Sequence, residues 1–103
     1  MLERMTLDTF TPLLGQTFQL RLDDDTPIEL VLESATKGVI SGWQPPDRAT
    51  VRQPFALTFL GPPQFVLPQR IYRVEHESLG QFEIFIVPIG RTAQSVSYEV
   101  VFS

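Results

Sequence analysis

His76 stands between Glu75 and Glu77 and two residues before Ser78, so one short stretch holds a base, two carboxylates and a hydroxyl. Those are the types that nucleophilic hydrolysis needs: a histidine to take the serine proton and a carboxylate to orient the ring. The spacing argues against it. Successive side chains of an extended strand point to opposite faces, which sets Glu75 and Glu77 away from His76. No Gly-x-Ser-x-Gly turn is available to present a serine nucleophile. The single histidine is therefore read as a structural or surface residue at the mouth of a hairpin.

Asp23, Asp24 and Asp25 form the densest charge cluster and could offer oxygen ligands to calcium. No glycine and no downstream acidic residue complete a calcium loop there. The sequence predicts a solvated hairpin tip, where aspartate favours local turn bonding and the charges need no partner. Glu29, Glu33, Glu83 and Glu99 fall on strand faces opposite the expected core, as solvated carboxylates do, and a catalytic pair among them would need a cleft that the pattern does not locate. The chain has no cysteine, which excludes disulfides, thiolate nucleophiles and cysteine-based metal sites and suits a cytoplasmic protein, or one incorporated into an assembly built in the cytoplasm. Glycines 38, 42, 61, 80 and 90 are spaced for turns, and none opens a helix as a phosphate-binding loop must. The expectation is a protein that is not an enzyme, with no catalytic residue, no metal and no cofactor.

Eight basic against twelve acidic side chains give a net charge of −4, and the basic residues form no run. Such a field repels phosphate backbones, so nucleic acid is not the expected partner. No stretch reaches the roughly 18 apolar residues of a spanning helix, so no membrane span is expected, and Met1 to Met5 do not resemble a cleaved secretion signal.

The elements that would position these residues follow from periodicity. Leu7, Phe10, Leu13 and Leu14 share a helical face, so a short N-terminal helix is predicted over about 6–14, capped by Thr6 or Asp8, limited by Pro12 and ended at Gly15. The period then becomes two. Phe18, Leu20 and Leu22 pair with Ile28, Leu30 and Leu32 across the Asp23–Pro27 turn as a hairpin. The stretch 37–52 reads as a long irregular loop holding Trp43, Pro45 and Pro46, with a short strand at Val39 and Ile40. Phe55, Leu57 and Phe59 mark a third strand, ended by a Gly61-Pro62-Pro63 connector that reaches Pro68. Residues 70–76 and 80–89 form a second hairpin, and Val96, Tyr98, Val100 and Phe102 line a last strand. The chain of 103 residues is predicted to be one mainly β domain: a small six-stranded antiparallel sandwich or partly open barrel with a short N-terminal helix.

With the strands placed, the segment Leu7 to Phe18, the Gln53 to Phe59 strand, the Gly61-Pro62-Pro63 connector through Leu67-Pro68-Gln69 and the Tyr72 to Gly90 hairpin resemble a bacterial family of small domains of unknown function. Genes of that family are often seen beside phage-tail-collar or tail-fibre-like genes. The resemblance covers the chain apart from 37–52 and offers no catalytic residue to carry over. It implies a role in assembling or accompanying a tail-like or surface appendage system.

The candidate contact residues are those the core does not absorb. Trp43 sits on a loop stiffened by Pro45 and Pro46, either as an anchor for a partner or folded back as a plug over the barrel end. Pro62 and Pro63 read first as a rigid connector and second as a proline-rich ligand. Phe85, Val87 and Ile89 lie on the second face of their strand, together with Val31, Leu60 and Val101, and need cover. Either the N-terminal helix or another chain can supply it. The expected function is an interaction or assembly module with a protein partner or as a homo-oligomer. The alternative is a barrel holding an apolar or carbohydrate ligand at one mouth.

Overall fold

The computed structural model describes residues 5–37 and 55–102. Trp43, Pro45 and Pro46, and the short strand expected at Val39 and Ile40, lie outside the described residues. A four-residue helix α1 (Leu7–Phe10) runs into a 3-10 turn (Thr11–Leu13) and is followed by β1 (Thr17–Arg21), β2 (Pro27–Lys37), β3 (Phe55–Gly61), β4 (Arg70–His76), β5 (Gly80–Arg91) and β6 (Val96–Phe102). The six strands are antiparallel and close into a barrel in the order β1-β2-β3-β6-β5-β4.

Closure, which the sequence left open between sandwich and barrel, comes from two long strands that each serve two neighbours. The first part of β2 pairs with β1 and its second part with β3, with a register shift between Leu32 and Ser34. Likewise β5 pairs with β4 up to Ile86 and with β6 from Val87, with a shift between Pro88 and Gly90. A bulge bends a strand and sharpens its twist, so each long strand turns the sheet through a corner instead of ending one layer and starting another.

Alternation then fills the interior. Phe18 and Leu20, Ile28, Leu30 and Leu32, Phe55, Leu57 and Phe59, and Val96, Tyr98, Val100 and Phe102 are all buried, as their period of two predicts. The helix supplies the last piece. Phe10 is fully buried with its ring 5.4 Å from Phe102, 6.0 Å from Phe55 and 6.5 Å from Phe18. Phe55 and Phe102 themselves stack at 4.6 Å with only 5° between their planes. α1 is thus a plug in one end of the barrel.

Local chemistry fixes the plug. The Thr6 amide donates to Thr9 Oγ1 at 3.0 Å, which satisfies a donor that the first turn leaves free. Pro12 falls in the first turn of the 3-10 segment, where its missing N–H costs nothing. Gly15 adopts φ +83, a left-handed conformation that disfavours side chains, and its N–H donates to the Leu32 carbonyl at 2.8 Å. Leu32 N–H returns a bond to Gln16 at 3.1 Å, so the segment leaves the plug already in register with β2. Leu14, expected on the buried helical face, is instead exposed, because the helix ends before it and the chain turns extended there.

Candidate functional site

The hairpin mouth is built around a committed histidine. His76 lies at the end of β4 facing the core, with only 6% of its surface exposed and its ring 4.5 Å from that of Phe18. The Ser78 amide donates to Nδ1 at 3.0 Å. Nδ1 is therefore the acceptor nitrogen, and Nε2 carries the proton that it donates to Gln16 Oε1 at 2.8 Å. Ser78 meets the ring through its backbone, not its hydroxyl. Glu75 points the other way, accepting from Arg21 at 2.7 Å and from Gln81 at 2.9 Å, and the Arg21 bond, then the Gln81 bond, holds its carboxyl below the usual glutamate range. Glu75 and the Ser78 hydroxyl therefore make no hydrogen bond to the His76 ring here. His76→Ala is expected to cost about 1–2 kcal/mol in urea unfolding by orphaning the Ser78 amide and Gln16.

A groove of about 530 Å³ runs over the outside of this end, lined by Thr17, Gln19, Glu29, Glu75, Glu77 and Gln81. Its floor is a register row, Glu29 opposite Gln19 and Gln19 opposite Glu75. Among the described residues no three His, Cys, Asp or Glu side chains gather as a metal site.

The aspartate triplet departs from expectation. Asp24 does what a turn aspartate does, accepting from the Thr26 amide at 3.1 Å, and hydrogen bonding from the Thr26 side chain, then from its amide, holds the Asp24 carboxyl below the usual range. Asp23 and Asp25, expected to be solvated and unpaired, pair with Arg70 at 2.8 Å and with Arg73. The reason is tertiary: barrel closure lays the β1–β2 turn alongside β4. Glu99 is a second departure. Glu29, Glu33 and Glu83 are exposed as expected, but Glu99 retains only 7% exposure. It sits centrally in the sheet with Thr58 and Val87 directly opposite on its two sides.

What remains on the outside is apolar. Phe85 is 48% exposed and Ile89 51%, with Val87 half-buried between them. The bulge leaves Ile89 without a partner on β6 and turns it outward. The register places Ile71, 59% exposed, directly opposite Phe85, and Val101 lies on the outer face of β6 two residues beyond Glu99. Cross-strand neighbours on one face lie within about 5.5 Å, so Ile71 and Phe85 form one continuous apolar surface. α1 does not cover them, because Phe10 commits it to the barrel end. Of the candidate contact residues, the structure therefore groups Phe85, Val87 and Ile89. Pro62 and Pro63 lie apart on the β3–β4 connector, half-buried, with the Pro63 carbonyl held by Arg91 at 2.9 Å.

Sequence reasoning missed Ile71, whose only signal was its place opposite the outward residues of the next strand. It also missed Phe65 and Val66, which the same connector exposes while Leu67 is buried. Leu67 is anchored by its amide, which donates to the Tyr98 hydroxyl at 2.9 Å.

These features define a class: a small closed antiparallel β-barrel with a side-chain-filled interior, a helical plug and an apolar row on its outer wall. The family described as Domain of unknown function (DUF6916) matches residues 5–102, and the chain belongs to it. No curated protein and no solved structure matches the chain. No helix among the described residues is long and apolar enough to cross a membrane.

Proposed function

We propose that this domain is a non-enzymatic interaction module that docks on a protein partner, or on a further copy of itself, through the outer row of Ile71, Phe85, Val87, Ile89 and Val101. The observation that carries this is the exposed Phe85 with a still more exposed Ile71 directly across from it, on a barrel whose helix is spent elsewhere. A large apolar pair on the wall of a small domain costs solubility and adds nothing to its core, so it is retained where something covers it. The family resemblance suggests the setting, a subunit or accessory of a phage-tail-like or appendage assembly. A ligand held inside the barrel is supported less, since Phe10, Phe18, Phe55 and Phe102 occupy that end of the interior.

The test is association with and without the row. Phe85→Ser combined with Ile71→Ser is expected to leave the melting temperature within a few degrees, because both side chains are already half in water. The same change is expected to abolish self-association in light scattering or retention of the partner from the native host. A wild-type chain that is monomeric at all concentrations and retains no partner would defeat the proposal.

A further inference from the structure

All three ion pairs among the described residues cross the same seam of the barrel. Arg21 on β1 pairs with Glu75 on β4, and Asp23 and Asp25 in the β1–β2 turn pair with Arg70 and Arg73 on β4. This is also the shortest ladder: β1 and β4 are joined only at Gln19–Glu75, Leu20–Val74 and Arg21–Arg73. By contrast β3 and β6 run together for seven pairs, from Phe55–Phe102 to Gly61–Val96.

The register contains a conflict that the ion pairs resolve. Arg21 and Arg73 are directly opposite each other on the outer face, and like charges so placed repel. Glu75 takes the Arg21 guanidinium at two points, 2.7 Å from Nη2 and 3.2 Å from Nε, and Asp25 takes Arg73. The other polar groups around the seam are Gln19, Gln81, Arg70 and Asp23, with Glu83 opposite Arg73 on β5 and Glu29 opposite Gln19 on β2. His76 turns inward and is occupied by Gln16 and Ser78, and Glu77 lines the groove beyond.

We propose that the β1–β4 seam is an acid-releasable clasp: protonation of Glu75 leaves Arg21 without its counter-charge opposite Arg73, and the barrel opens along this ladder while β3–β6 stays closed. The sign follows from Glu75, whose carboxyl the Arg21 bond holds below the ordinary value of 4.5. The stabilisation is present above that value and is lost as pH falls through the lower value of the folded state. An opened seam presents the backbone edges of two strands, which is the surface an extended segment of another chain pairs with.

Hydrogen exchange by NMR on the full chain tests this, with rates corrected for intrinsic exchange. Between pH 7 and pH 3.5, protection along the β1–β4 ladder is expected to fall at least ~10-fold more than along β3–β6. Glu75→Gln with Asp25→Asn should reproduce the loosening at pH 7, where no acid is involved. Equal loss on both ladders, no loss on either, or a double variant with unchanged seam protection at pH 7 would overturn the clasp.

Discussion

Phe10→Ala is expected to destabilise the domain by about 3–5 kcal/mol, the range for deleting a fully buried aromatic ring that its surroundings cannot replace. Phe10 enters the barrel end from a four-residue helix and touches three rings from three different strands. Those strands are fixed by their ladders, so the hole left behind collapses only partly. Small domains are stable by about 5–15 kcal/mol, which makes this loss a large share of the total. The melting temperature should fall by about 15–30 °C, and the helix should lose its anchor, because Leu7 and Leu13 are only half-buried. Urea unfolding followed by near-ultraviolet circular dichroism checks both effects. A loss below about 1 kcal/mol would show that the plug is not part of the core.

Tyr98→Ala is expected to cost a similar amount, about 3–5 kcal/mol, for a reason that divides in two. Tyr98 is the largest fully buried side chain on β6, and its ring lies where the absence of a Cβ on Gly61 leaves room: a Cβ built there would stand 3.0 Å from Tyr98 Cε2 and 3.0 Å from Leu30 Cδ2. Its hydroxyl accepts the buried Leu67 amide, the bond that pins the β3–β4 connector over the barrel. Tyr98→Phe keeps the ring and orphans the amide, so it should account for about 1–3 kcal/mol of the whole. The remainder is packing. In Tyr98→Phe the Leu67 amide should exchange faster while the β3–β6 ladder stays protected. An unchanged Leu67 amide would mean that the connector holds itself in place.

Much of the fold was legible because period and turn chemistry are local. Alternation placed Phe18, Leu20, Leu30, Phe59 and Tyr98 inside, and all are buried. Gly15 and Pro12 marked the end of the helix, and both sit where a left-handed turn and a missing donor are tolerated. Barrel closure was not legible. It depends on which strands pair after the two bulges, and a register shift at Leu32/Ser34 or Pro88/Gly90 leaves no unambiguous mark in composition.

The candidate site was legible by half, and for the same reason. Phe85, Val87 and Ile89 stood out as apolar residues on the wrong face of a strand. Ile71 did not, because its importance comes from lying opposite Phe85, a relation between strands. The aspartate tip looked like a solvated turn because aspartate favours local turn bonding, and the arginines it pairs with arrive from β4 only when the barrel closes.

At the hairpin mouth the sequence by itself determined that Glu75 and His76 face opposite ways, because neighbouring residues alternate across a strand whatever the strand packs against. It also determined an antiparallel β domain with an aromatic core. Only the tertiary structure decided the rest: that α1 enters the barrel end instead of covering Phe85, that Ile71 completes the outer row, and that three ion pairs share the shortest seam. Side-chain direction is set by neighbours in the chain, whereas cover and pairing are set by which distant strands meet.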